Sequence, residues 1–253
     1  MPRSQSVPFL EDAWPGFKPY IDASSTAPAE NTIREMERLC EKNDIEFWYL
    51  LPFPIFPSLD GALIQKVAPE FFSSGYFTLD QPHIPELLKA EICALKKVLP
   101  GIKGINLWMA EGVISGFLDN PAGEEIGNNK KWAPPLIKAF SQVTQELGIG
   151  GIFFIHNYLQ TIRTHRDAIE MMAEFPELTL MDDVTWPEED MQHPFLGYLP
   201  REDRELLFQS NPVALDFLLD TEYIGEGILP SVYPRWWKHN VGEAIRSGVS
   251  VAM

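Results

Sequence analysis

The chain has 253 residues, with 20 Lys and Arg against 36 Asp and Glu, so its net charge is −16 with His neutral. An acidic chain repels the phosphate backbone, which excludes a nucleic-acid binder held by phosphate contacts. Hydrophobic residues make up 45% and aromatics 12%, enough for a sizeable core and too much for a disordered chain, while the apolar runs fall far short of the roughly 20 residues needed to span a bilayer.

The opening MPRSQSVPFLEDAWPG has no apolar run before Glu11 and Asp12, so it does not read as a secretory leader. A cytoplasmic location is expected if Met1 is the true start. Apolar strand-like runs then alternate with amphipathic stretches, the pattern of βα units around a parallel sheet. Strands are expected at Tyr20–Ala23, Ile45–Leu51, Ile105–Met109, Gly151–Ile155, Leu178–Met181, Ala214–Leu219 and Val249–Ala252. Helices are expected at Glu30–Glu41, Ile84–Val98, Leu136–Leu147, Thr161–Phe175, Arg201–Gln209 and Pro234–Ser247. Pro85 near a helix start, and Gly148 and Gly248 just past helix ends, mark boundaries. The run LPFPIFP, Leu51 to Pro57, reads as a stiff loop directly after a strand. Cys40 and Cys93 lie far apart in helical patterns and match no metal or redox spacing, so both are expected as reduced core thiols.

Apolar strands bounded by polar loops suit a sheet buried on both faces, either a (β/α)8 TIM barrel or a doubly wound open sheet. Reactive residues follow several successive strands, whereas a doubly wound sheet holds its ligand at one switch point, and this favours the barrel. One domain over residues 1–253 is the reading, with about seven strands. The count stops at seven and no helix follows the last strand, so an incomplete, open barrel from a longer protein is expected, weakly active or inactive on its own.

In a barrel the reacting groups sit after the strands' C-terminal ends. Ala110-Glu111-Gly112 follows INLWM; His156-Asn157-Tyr158 follows GIFFI; Asp182-Asp183 follows LTLM; Asp220-Thr221-Glu222-Tyr223 follows ALDFLL. Carboxylates recurring after three strands are the equipment of glycoside hydrolysis, in which one carboxylic acid protonates the leaving oxygen and another carboxylate acts as base or nucleophile. Glu111, flanked by Ala and Gly directly after an apolar run, is the sharpest candidate, and Glu222 the next. Adjacent Asp182 and Asp183 alternate faces if they continue the strand, so at most one faces the mouth. His156 is either a sugar ligand or a core His. Trp186, in a loop after the Asp pair, is the tryptophan with the best claim to stack on a sugar, while Trp108 sits within a strand. No HExxH spacing occurs and Gly148-Ile149-Gly150-Gly151 precedes a strand, so neither a metal site, a phosphate loop nor any other cofactor is expected.

The segment GINLWMAEG, followed much later by EYIGEG with Pro230, Tyr233, Trp236 and Trp237 beyond it, resembles the catalytic barrel of the α-glucuronidases of glycoside hydrolase family 67 and related uronic-acid glycosidases. The likeness runs from about Tyr20 onward through short motifs, Glu-Tyr-x-Gly being the most specific. It implies a general acid at Glu111 after the fourth barrel strand, and base function shared by Asp182 or Asp183 after the sixth and Glu222 after the seventh. In the family the Asp tends to be followed at once by an aromatic residue, whereas here Val184-Thr185-Trp186 follows Asp183, which leaves the choice within the pair open.

The leading expectation is therefore an α-glucuronidase-like glycoside hydrolase acting on a poly- or oligosaccharide, possibly uronic-acid-bearing. Apolar Leu107, Trp108 and Met109 would raise the pKa of the acid. Asn157, Tyr158, Tyr223, Trp186 and Trp108 join the substrate-binding set, with Arg163, His156 and Lys131 as partners for a uronate carboxylate. A retaining barrel glycosidase with Glu111 as acid and Glu222 as nucleophile is the first alternative, although Ala110 stands where that clan usually has Asn. A non-catalytic carbohydrate-binding barrel is the second. The expected partner is a carbohydrate, neither nucleic acid nor membrane, with the oligomeric state open.

Overall fold

The computed structural model describes residues 23–53, 65–66, 69–73, 76–77, 82–109, 129–155, 170–183, 201–216, 242 and 251–252. The chain divides into two compact units, Met1–Gly151 and Ile152–Met253.

The first unit opens with helix α1 (Ala23–Lys42). Its start corrects the expected strand Tyr20–Ala23 at its last residue, since Ala23, of the best helix-forming type, joins Ser24-Ser25-Thr26-Ala27 in the helix; Tyr20, Ile21 and Asp22 lie outside the described residues. Pro28 sits inside the helix and removes one intrahelical bond. The helix ends in a Schellman motif: Asp44 takes φ 55°, its N–H bonds the Glu41 carbonyl, and the Ile45 N–H reaches the Cys40 carbonyl at 2.9 Å. A left-handed C′ residue usually calls for Gly, and Asp is among the few others that tolerate it.

Strand β1 (Trp48–Phe53) therefore begins three residues later than the apolar pattern proposes, because Ile45 is used to close the helix. It also continues through Pro52 and Phe53, where a loop was expected. Pro52 is tolerated because β1 has a paired strand on one side only among the described residues, so a missing N–H need not break a ladder. A short 3-10 turn (Pro69–Phe71) leads into an antiparallel pair, β2 (Phe72–Ser73) and β3 (Tyr76–Phe77).

Helix α2 (Ile84–Val98) has the expected bounds, with Pro85 in its first turn. Ile84, Leu87, Leu88, Ile92 and Leu95 recur at helical spacing and are at most 2% exposed, an apolar stripe buried in the core, and the helix also packs beside helix α3 (Asn129–Leu147). α3 starts seven residues before the expected Leu136 and runs through Pro134-Pro135, so its first turn is held by two fewer intrahelical bonds. It ends as the sequence indicates, with Gly148 at φ 62° and the Ile149 N–H on the Thr144 carbonyl at 3.0 Å, a second Schellman motif. Strand β4 (Gly104–Met109) lies parallel to β1, from Trp48 level with Gly104 to Phe53 level with Met109. Ile105, Asn106 and Leu107 are all buried although they alternate faces. Both faces of β4 are covered, as in an α/β sheet.

The indole of Trp48 lies across the start of β4. A Cβ on Gly104 would overlap its Cζ3 and Cε3 and stand 2.6 Å from Cη2, and one on Gly150 would overlap Cη2. Neither glycine is needed for a left-handed backbone; both are there to admit the ring. The indole N–H donates to a Glu46 carboxylate oxygen at 3.0 Å.

In the second unit, β5 (Gly150–Ile155), which begins at the end of the first, pairs in parallel with β6 (Thr179–Asp183). β6 then pairs with β7 (Val213–Asp216), and β7 with β8 (Val251–Ala252), again in parallel. The adjacent pairs Ile152 and Phe153, Leu180 and Met181, and Val213 and Ala214 are all buried, so this sheet too is covered on both faces. The helix expected to reach Phe175 ends at residue 172, because Phe175 precedes Pro176 and that position disfavours helical backbone. The next turn is tied down by Asn211, just after helix α4 (Arg201–Ser210). Its buried amide nitrogen donates towards the carbonyls of Met172, Phe175 and Leu178 at 3.0, 2.9 and 3.1 Å.

Both units are thus α/β with parallel strands, and no helix among the described residues is long and apolar enough to cross a membrane. Of the two cysteines, Cys40 is half-buried on α1 and Cys93 is exposed on α2. Cys93 is therefore not a core thiol: it falls one position past Ile92, off the buried stripe.

Candidate functional site

Because β5 to β8 are parallel, their C-terminal ends lie along one edge of the second unit's sheet. Asp182 and Asp183 are the last two residues of β6, within the strand rather than after it. Asp182 is in register with Ile155 of β5 and Leu215 of β7, and Asp183 with Asp216 of β7. Consecutive strand positions alternate faces, so the two aspartates belong to different faces of the sheet. Asp216 was missed by sequence reasoning. Its signal was a lone acidic residue in the apolar run ALDFLL, which reads as the middle of a strand rather than as an edge. Asp183 and Asp216 stand level on neighbouring strands, whose backbones run about 4.8 Å apart.

In the first unit the corresponding edge is formed by Phe53 and Met109, level at the ends of β1 and β4, and Glu111 follows Met109 by two residues. Trp108 occupies a strand position next to Met109. Glu111, His156, Asn157, Tyr158, Arg163, Trp186, Glu222 and Tyr223 lie outside the described residues. Lys131 is placed on α3 by its backbone. Among the described residues, no three His, Cys, Asp or Glu side chains converge to hold a metal ion.

Two other acidic features lie away from the C-terminal edges. Glu91, midway along α2, is 4% exposed, and burial pushes its carboxyl up to about 8; at neutral pH it is an uncharged acid. Its charge acts on Tyr49, whose phenol is raised first by burial and then by Glu91. Tyr49 is four residues before Phe53, roughly 13 Å along the strand from its C-terminal end, so Glu91 does not belong with the edge carboxylates. The second feature is a shallow cleft of about 270 Å³ at the opposite end of β1 and β4, lined by Glu37, Glu41, Asp44, Glu46 and Lys103 among others. In β/α folds that end contributes to stability and the other carries chemistry.

No family model, curated protein or solved structure matches this chain.

Proposed function

We propose that this chain is a glycoside hydrolase of (β/α)8 type, resembling the α-glucuronidases, with Glu111 as general acid and Glu222 and Asp183 or Asp182 sharing base work on a water. The observation that carries the reading is the register of the second unit. Asp182 and Asp183 close a strand of a parallel sheet covered on both faces, level with Leu215 and Asp216 at the edge where α/β enzymes collect their reacting groups. Glu111, two residues past β4 in the sequence, supplies the acid, a role that calls for a carboxyl that holds its proton at neutral pH. The substrate is an oligosaccharide, with Arg163, His156 or Lys131 pairing the carboxylate of a uronate.

The test is Glu111→Gln, assayed on uronic-acid-bearing oligosaccharides by release of reducing sugar. Loss of a general acid lowers turnover by about 10²–10⁴-fold, and unchanged turnover would end the assignment.

A further inference from the structure

Glu91 is used neither by the packing of the first unit nor by the chemistry proposed above. It sits at the centre of the inward stripe of α2, one turn from Leu87 and Leu95, and neither of its buried carboxyl oxygens has a hydrogen-bond partner. The ionisable groups around it do not compensate a charge. Tyr49 of β1 senses Glu91 without bonding it. On α2 itself, the Lys89 ammonium donates to the Gln142 side chain of α3 at 2.8 Å, and Cys93 responds to burial, to Glu146 of α3 and to Lys89. An ionised carboxylate at this position would be buried, unpaired and without a donor, a strongly unfavourable state.

The two ends of α2 are held unequally. His83 at the N-terminus makes no side-chain bond to the helix backbone, and among the described residues its ring meets the exposed Glu86 carboxylate. At the C-terminus the Lys96 ammonium donates to the Pro100 and Ile102 carbonyls, the Arg34 guanidinium donates to the Val98 carbonyl, and the Leu99 N–H bonds the Leu95 carbonyl. The N-terminal end is held by the packing of Ile84, Leu87 and Leu88 without polar ties of this kind among the described residues, so it can lift while the C-terminal end acts as hinge, and such partial opening hydrates one carboxylate at less cost than unfolding the unit.

We propose that Glu91 is a protonation latch on α2: the neutral acid lets the helix seat in the core, and its ionisation releases the N-terminal half of the helix while α3 stays in place. Hydrogen exchange of the full chain, read by mass spectrometry between pH 6 and pH 8 and corrected for intrinsic rates, tests this. The wild type should lose up to about 100-fold protection in peptides covering residues 84–92, with residues 136–147 of α3 changing far less. Glu91→Gln should abolish the difference, and Glu91→Leu, which completes the apolar stripe, serves if the Gln variant does not fold. Equal loss across α2 and α3 in the wild type, or the same pH response of α2 in either folded variant, would overturn the latch.

Discussion

Trp48 and the two glycines beneath it give the sharpest test of how the first unit is assembled. Gly104→Ala adds one methyl where the ring already lies, with Cζ3 and Cε3 overlapped and Cη2 at 2.6 Å. The backbone there is not left-handed, so the substitution brings no conformational strain of its own and its whole cost comes from the ring. To make room the indole must swing off β4 and Gly150. Overpacking of this kind costs about 1–3 kcal/mol, and uncovering about half of an indole's roughly 200 Å² adds some 2–3 kcal/mol at 25 cal/mol per Å² as the upper limit of relief. The smaller of these routes sets the effect, about 2 kcal/mol. In a Trp48→Ala background the three atoms nearest the methyl are gone, and Gly→Ala then stabilises by about 0.4–1 kcal/mol by restricting the unfolded chain. Urea unfolding followed by far-UV circular dichroism, which does not depend on the deleted indole, should give a coupling of about 2–3 kcal/mol between the two positions. The reasoning fails if Gly104→Ala costs the same in both backgrounds.

Two further outcomes follow from the core. The carboxyl of Glu91 ordinarily titrates near 4.5 and is held near 8 in the folded chain; between those values the unfolded chain gives up its proton while the folded one keeps it. Stability is therefore greatest below about pH 4.5 as far as this group is concerned, falls by roughly 1.4 kcal/mol per pH unit, and is lower by about 5 kcal/mol above pH 8. Denaturant titrations of wild type and Glu91→Gln should diverge in that window, and parallel curves would show that Glu91 is not the cause. Asn211→Asp sets a carboxylate against the carbonyls of Met172, Phe175 and Leu178, where the amide nitrogen now donates, and should cost more than Asn211→Ala, itself about 3 kcal/mol; the reverse order in thermal unfolding would refute the assigned amide orientation.

Much of the fold was legible because local signals and packing agree. The bounds of α2 follow from Pro85 and an apolar stripe at helical spacing, and Gly148 marks the end of α3 because its backbone must turn left-handed there. Expectation failed where a residue serves a partner distant in sequence. Ile45 looks like the start of a strand but closes α1, and Pro52 looks like a loop until β4 is seen to occupy one side of β1. Gly104 and Gly150 are explained only by Trp48, 56 and 102 positions earlier in the numbering. Glu91, a charge in the apolar register of α2, was passed over in the sequence, and the bonds of Asn211 depend on a turn more than thirty residues away. Of the candidate site, the sequence placed the Asp pair at the end of an apolar strand, and only the strand register brought in Asp216.

That register also gives the physical reason to look for chemistry at this edge. The core of the second unit is carried by Ile152, Phe153, Met172, Leu178, Leu180, Met181, Val213 and Ala214, and it needs no carboxylate at the strand ends. Asp183 and Asp216 hold level positions at the ends of adjacent parallel strands, at the edge where β/α folds carry chemistry rather than stability. In the function proposed above, carboxylates at such an edge act on a glycosidic bond. Glu91 presents the opposite arrangement, a single carboxyl kept neutral by burial and far from the edge. Its consequence is a pH-dependent stability, whereas under the function proposed above the strand-end aspartates affect turnover.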